Sequence, residues 1–194
     1  MKTFVTMGPG TNHDLVARRY LGFHGLGPEA LTFVDRPEQG AERVLQGKAD
    51  YFILCSVHAD APAITGRHFR SLFIVDTFIS PSKPLAVVTR KDVAQPRSLG
   101  LLTPTLDYAD TARWSEVIAE PDGSIVQIWQ RLLAGEFDSA LVYLEYAEQF
   151  PDKVVVDQTL GSPDDAWLVF GRERASNGGL IADKDSAVAR CLKS

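Results

Sequence analysis

Met7-Gly8-Pro9-Gly10-Thr11-Asn12-His13-Asp14 follows a short apolar run, Phe4 and Val5, and precedes a helical pattern through Leu15, Val16, Arg19 and Tyr20. The stretch reads as the turn from a first strand into a first helix. Gly8 and Gly10 let the backbone bend and let a ligand come close. Thr11 or Asn12 caps the helix. The amides of the first turn, Gly10, Thr11 and Asn12, lie at the positive end of the helix dipole and form an anion site. His13 adds a group that gives or takes a proton near neutral pH. Neither a Walker A loop nor a dinucleotide fingerprint is present, so a capped turn without a ligand is the competing reading.

Outward from this turn, residues 31–34 read as a short buried strand. Residues 36–46 read as a helix with Ala41, Val44 and Leu45 inward and Gly47 as its stop. Residues 49–55 are apolar enough for a central strand of a parallel sheet. This β-α-β-α-β run predicts an α/β fold with ligands at the carboxyl ends of the strands. The loops there are 8–13, 35–36 and 56–60, the last holding Ser56, His58 and Asp60. A long strand over 72–79 breaks at Ser80-Pro81-Ser82-Lys83-Pro84 and resumes at 85–90. Two prolines in an extended path suit a crossing between lobes better than a central strand.

The second lobe reads as a strand at 99–102, a Thr103-Pro104-Thr105 turn into a helix over 107–113, and a strand over 114–119. Gly123 and Ser124 then cap a helix over 125–133, stopped by Gly135, before a strand over 137–142 with Tyr143, Glu145 and Tyr146 at its carboxyl end. A short strand at 154–156, a return strand at 166–170 and a final helix over 183–192 complete the pattern. The lobes are therefore expected at 1–80 plus 162–194 and at 84–161.

Composition narrows the function classes. The chain has 194 residues, 45% of them hydrophobic and 23% charged, as in a globular protein. A net charge of −5 without a basic block argues against nucleic acid. Cys55 and Cys191 lie far apart and outside any metal-spacing motif, so no metal site is expected and the thiols read as reduced, in a cytoplasmic protein. No basic segment followed by an apolar stretch marks a signal peptide. No run approaches the ~20 apolar residues that span a membrane.

The opening Gly-Pro-x-Gly-Thr-type loop, the step Gly47-Lys48-Ala49-Asp50-Tyr51, the crossing that ends in Leu85-Ala86-Val87 and the strand Ala140-Leu141-Val142 resemble prephenate dehydratase catalytic domains. Within that superfamily the chain is most similar to the stand-alone prephenate decarboxylases of the bacilysin-pathway type. Gly8-Pro9-Gly10-Thr11 stands where that group has Gly-Pro-Glu-Gly-Thr, one residue shorter. Thr103-Pro104-Thr105 stands at a His-Pro-Ser-like turn, and Trp167-Leu168-Val169-Phe170-Gly171 at a Trp followed by Leu-Phe-Gly. The resemblance covers about residues 3 to 172. It implies a two-lobed, type II periplasmic-binding-protein-like fold with mixed sheets, a ligand cleft between the lobes, and a homodimer. Where the dehydratases carry a Thr-Arg-Phe motif whose Thr is implicated in expelling the ring hydroxyl, this chain reads Asp165-Ala166-Trp167.

The implied substrate, prephenate, has two carboxylates. One would rest on Gly10, Thr11 and Asn12, the other on Thr103 and Thr105, with Lys83 adding a full charge. Ser56, Ser82 and Trp167 would line the same cleft. His13 and His58 are the candidate proton donors, both in loops at strand ends; as a solvent-facing helix residue and a loop residue they need no such role. Glu145 reads as an acid or a solvated helix-start carboxylate, and Tyr143 and Tyr146 as packing residues. The reading is a lyase that needs no metal or organic cofactor and decarboxylates prephenate or a related small cyclic carboxylate. The alternatives are a protein that binds a small carboxylate without chemistry, and the same scaffold with another substrate.

Overall fold

The structure is a computed structural model and describes residues 2–192; Met1 and residues 193–194, which fall within the expected first lobe, lie outside the described residues. Among the described residues, ten strands form two five-stranded mixed sheets. The first sheet holds β1 (Phe4–Met7), β2 (Leu31–Val34), β3 (Tyr51–Cys55), β4 (Phe73–Pro81) and β10 (Asp164–Gly171) in the order β2-β1-β3-β10-β4. β1 lies parallel to β2 and β3, while β10 runs antiparallel to β3 and β4. The second holds β5 (Leu85–Arg90), β6 (Ser98–Leu102), β7 (Glu116–Glu120), β8 (Ser139–Tyr143) and β9 (Val154–Gly161) in the order β7-β6-β8-β5-β9. The two-lobed α/β architecture expected from the sequence is the one observed.

Alternation along β3 explains why it sits centrally. Phe52 and Leu54 point to one face, Ile53 and Cys55 to the other, and all four are buried. On the first face they meet Ala41 and Val44 of α2 (Pro37–Leu45) and Ala61 and Ile64 of α3 (Ala61–His68). Gly40 lets α2 approach closely: a Cβ there would stand 2.5 Å from the Phe52 ring. On the second face Val16, Ala17 and Leu21 of α1 (Asn12–Phe23) pack with Ile53, Val169 and Trp167. The second sheet has one large core, in which Ile128, Trp129 and Leu132 of α4 (Ile125–Leu133) pack with Leu99, Leu101 and Leu141. Ser124 and Gln127 close a capping box on α4.

The sheets meet at two crossings. β4 passes into β5 through Ser82-Lys83-Pro84, and β9 returns into β10 through Ser162-Pro163. The Ser82 amide donates to the Pro163 carbonyl at 2.9 Å, so the crossings are bonded to each other.

Several expected elements differ. The helix expected over 107–113 is instead a 3-10 turn over Thr103–Tyr108, because Pro104 starts a tight turn and the Thr105 hydroxyl donates to the Leu102 carbonyl at 2.8 Å. The strand expected from residue 114 begins at Glu116, since Trp114 turns inward and donates through Nε1 to the Ser139 hydroxyl at 2.8 Å. α3 was not expected as a helix, whereas the short α5 (Leu144–Gln149) agrees with the reading of Glu145 as a helix-start residue. β9 runs on to Gly161 as a half-exposed edge, and the last helix, α6, is limited to Ala187–Leu192. Among the described residues no helix is long and apolar enough to cross a membrane.

Candidate functional site

The amino end of α1, the starts of both crossings, the carboxyl ends of β3 and β8, and the Thr103–Tyr108 turn converge between the sheets. Thr11 is the N-cap of α1: its hydroxyl accepts from the Asp14 amide at 3.4 Å and donates to the Gly8 carbonyl at 2.8 Å. The structure fills two of the expected anion donors internally. The Gly10 amide donates to the Asp14 carboxylate at 3.0 Å, and the Asn12 amide donates to the Tyr143 hydroxyl at 3.1 Å. Tyr143 ends β8, so this second bond ties the lobes together. Burial raises the Tyr143 phenol pKa and keeps it neutral.

Lys83 is a second interlobe tie. Its amide donates to the Asn12 side-chain oxygen at 2.7 Å. Its Nζ donates to the Gly10 carbonyl at 2.9 Å and to the Glu145 carboxylate at 2.6 Å, and lies 4.9 Å from the Tyr143 ring centre. The Lys83 side chain is 14% exposed and that of Glu145 38%.

Asp165 lies at the start of β10, beside the crossing. It is 8% exposed and accepts a hydrogen bond from the Ser82 hydroxyl. Cys55 and Tyr108 lie near enough for Asp165 to raise the pKa of each, after burial as the main cause. Tyr108 comes from the opposite lobe, so the Thr103–Tyr108 turn reaches towards Asp165 and Cys55. Burial pushes the Cys55 thiol up to about 11, which keeps it protonated at neutral pH. Asp165 was missed as a site residue in the sequence reading. The available signal was its phase in the return strand: two residues before Trp167 and four before Val169, it is an acid on the apolar face.

The histidines differ from expectation. The His13 ring stands 5.0 Å from Trp167 and 5.8 Å from His58, both edge-on. Its Nε2 accepts from the Cys55 amide at 3.3 Å, which places the ring proton on Nδ1. Burial, with the neighbouring His58 adding to it, holds the pKa down to about 3. His13 is therefore neutral at physiological pH and caps the last amide of β3; it is not the near-neutral proton donor expected. His58 accepts from the Asp60 amide at its Nδ1 at 3.2 Å, leaving Nε2 to carry the proton. Burial lowers its pKa, and Asp60 opposes the shift.

Three other expected contacts are redirected. Trp167 is fully buried and donates to the Ser80 carbonyl at 3.4 Å, so it packs behind His13 and does not line the cleft. The hydroxyls of Thr105 and Ser82 are spent on Leu102 and Asp165. The Thr11 amide and the Thr103 and Ser56 hydroxyls have no hydrogen bond among the described residues. Two cavities, of about 400 and about 710 Å³, lie away from this region: one by Arg90, Gly135 and Lys153, one by Tyr20, Tyr51 and Arg172.

No protein-family model matches the sequence, and no curated protein does. Solved structures do share the fold. A prephenate dehydratase from Arthrobacter aurescens, in complex with L-Phe, is 18% identical and superposes with a TM-score of 0.64 over 93% of this chain and 62% of its own. The chain thus spans less than two thirds of that protein's length. The prephenate dehydratase of Staphylococcus aureus is 14% identical with a TM-score of 0.56, over 98% of this chain and 77% of its own. The periplasmic VFT2 domain of Bordetella pertussis BvgS is 13% identical with a TM-score of 0.52, over 88% and 80%. At these identities the likeness is one of fold, a scaffold that two prephenate dehydratases share.

Proposed function

We propose that the chain is a cofactor-independent carbon–carbon lyase that takes prephenate, or a related small cyclic carboxylate, between its lobes and removes carbon dioxide without expelling the ring hydroxyl. One observation carries this reading: a carboxylate, Asp165, only 8% exposed and gripped by Ser82, stands where the resemblance places the dehydratases' threonine. A carboxylate anion has no proton to give a departing hydroxyl. Beside the ligand's own carboxylate it raises the energy of the bound ground state instead. That repulsion fades as the ligand's charge leaves as neutral carbon dioxide, which lowers the barrier. The carbon–carbon bond breaks, its electron pair moves into the ring π system, and one proton adds to a ring carbon.

His58 is the proton donor in this scheme. Its proton sits on Nε2, and an anionic ligand alongside favours the imidazolium that burial disfavours in the empty cleft. A positioned acid supplies about 10²–10⁴-fold. The Thr11 amide, the Thr103 and Ser56 hydroxyls and Lys83 are the groups for the ligand's carboxylates, each charge-assisted bond contributing about 1.5–3 kcal/mol. His13, itself backed by Trp167, packs edge-on against His58.

The test mixes pure protein with prephenate and follows gas evolution, absorbance and melting temperature. Evolved carbon dioxide with a non-aromatic dihydro product is expected. Phenylpyruvate would overturn the reading in favour of dehydration. Thermal stabilisation without turnover would support the second reading, a carboxylate-binding protein. What favours that second reading is how much of the cleft is already bonded: Lys83 to Glu145, and two α1 amides to Asp14 and Tyr143.

A further inference from the structure

We propose that Glu145 is a built-in stand-in for the ligand's carboxylate: it holds the Lys83 ammonium until a carboxylate ligand displaces it, so that only ligands carrying that group gain entry. This rests on the reading of the interlobe region as a small-carboxylate site.

The contacts of Lys83 are divided between fixed and replaceable partners. The Gly10 carbonyl belongs to a turn held by Asp14 and by the Thr11 cap, and the Tyr143 ring is buried. Glu145 lies in the first turn of the short α5, on a flexible side chain, and is the only carboxylate bonded to Lys83 among the described residues. Exposure makes the exchange lopsided. Glu145, at 38%, rehydrates readily when it swings out, whereas Lys83, at 14%, is costly to leave without an anion. A ligand carboxylate takes over the same Nζ–H and restores the charge pair. A neutral ligand evicts Glu145 and leaves the ammonium stranded. The stand-in therefore lowers affinity for every ligand but lowers it far more for neutral ones, which is selection by exclusion.

The test is a double-mutant cycle on prephenate binding by calorimetry, with the intact chain. Glu145→Gln keeps the size and removes the competing charge; it is expected to tighten binding about three- to tenfold. Lys83→Met is expected to weaken binding about tenfold or more. In the Lys83→Met background, Glu145→Gln is expected to change affinity less than about twofold, because there is no longer an ammonium to compete for. Unchanged or weaker binding by Glu145→Gln overturns the proposal. Equal tightening with and without Lys83 also overturns it, since that is a diffuse charge effect. If wild type binds no small mono- or dicarboxylate and Glu145→Gln does, the stand-in is supported.

If neither binds any, the proposed function fails, and the stand-in is then decided by lobe spacing. Spin labels at the exposed positions Arg70→Cys and Asp122→Cys, in a Cys191→Ser background, report the distance between lobes. Glu145→Gln is expected to populate a longer distance in the empty protein; an unchanged distribution overturns the stand-in.

Discussion

Replacing His13 by glutamine isolates one half-buried imidazole as a source of acid sensitivity. Glutamine keeps an oxygen that can accept from the Cys55 amide but cannot titrate. In the folded protein the ring's pKa is down at about 3, against an ordinary 6.5. Because the folded value is the lower one, the unfolded chain takes up the proton first. Stability is therefore full above 6.5, falls as pH drops from 6.5 towards 3, and levels off below. At pH 5 the proton gained by the unfolded imidazole is worth about 2 kcal/mol and that gained by the folded ring almost nothing; at pH 7.5 the effect is under about 0.1 kcal/mol. His58 shifts in the same direction, and it and the carboxylates are common to both proteins. The assay is urea unfolding of wild type and His13→Gln at the two pH values, followed by tryptophan fluorescence. Wild type is expected to lose about 2 kcal/mol more than the variant between pH 7.5 and pH 5. Equal losses would refute the placement of a neutral, enclosed ring at His13.

Asp165→Asn removes the repulsion proposed to drive decarboxylation; turnover is expected to fall on the order of 10²-fold while prephenate binds as tightly or more so, and a matched loss of affinity would point to a ligand contact instead. Gly40→Ala drives a methyl into the Phe52 ring, and the overpacking, about 1–3 kcal/mol by chemical denaturation, is expected to outweigh alanine's better helix propensity of about 1 kcal/mol. Thr105→Val breaks the bond to the Leu102 carbonyl and is expected to cost about 0.5–1.5 kcal/mol of stability with carboxylate affinity unchanged; a tenfold weaker affinity would reinstate Thr105 as a ligand contact.

The layered plan was readable wherever burial was two-sided or a cap was explicit. β3 declares itself by four consecutive buried apolar residues, and α4 by Ser124 before a strongly apolar face. α3 was not readable, because Pro62 and Gly66 interrupt an eight-residue segment with just two buried positions, Ala61 and Ile64. Around the cleft, residue types were legible but partners were not. The loop at 8–13 does cap α1, yet Asp14 and Tyr143, the latter more than a hundred residues away, take the amides it offers. Lys83 between its prolines did mark the crossing. That Glu145 would hold it depended on how β8 and α5 are placed across the gap. His13 looked titratable because a sequence records the ring and not its enclosure.

The position of β10 bears on how the molecule is made. It leaves the ribosome after the other nine strands of the two sheets, yet it sits between β3 and β4 and hydrogen-bonds to both. The entire second sheet, β5 to β9, is synthesised before it and can assemble first. Until residues 164–171 arrive, β3 and β4 each expose an unpaired edge, the kind that recruits other chains. A premature stop in the Ser162-Pro163 crossing, after β9 and before β10, would therefore be expected to yield a chain with one finished half and one adhesive half, prone to deposit as aggregate.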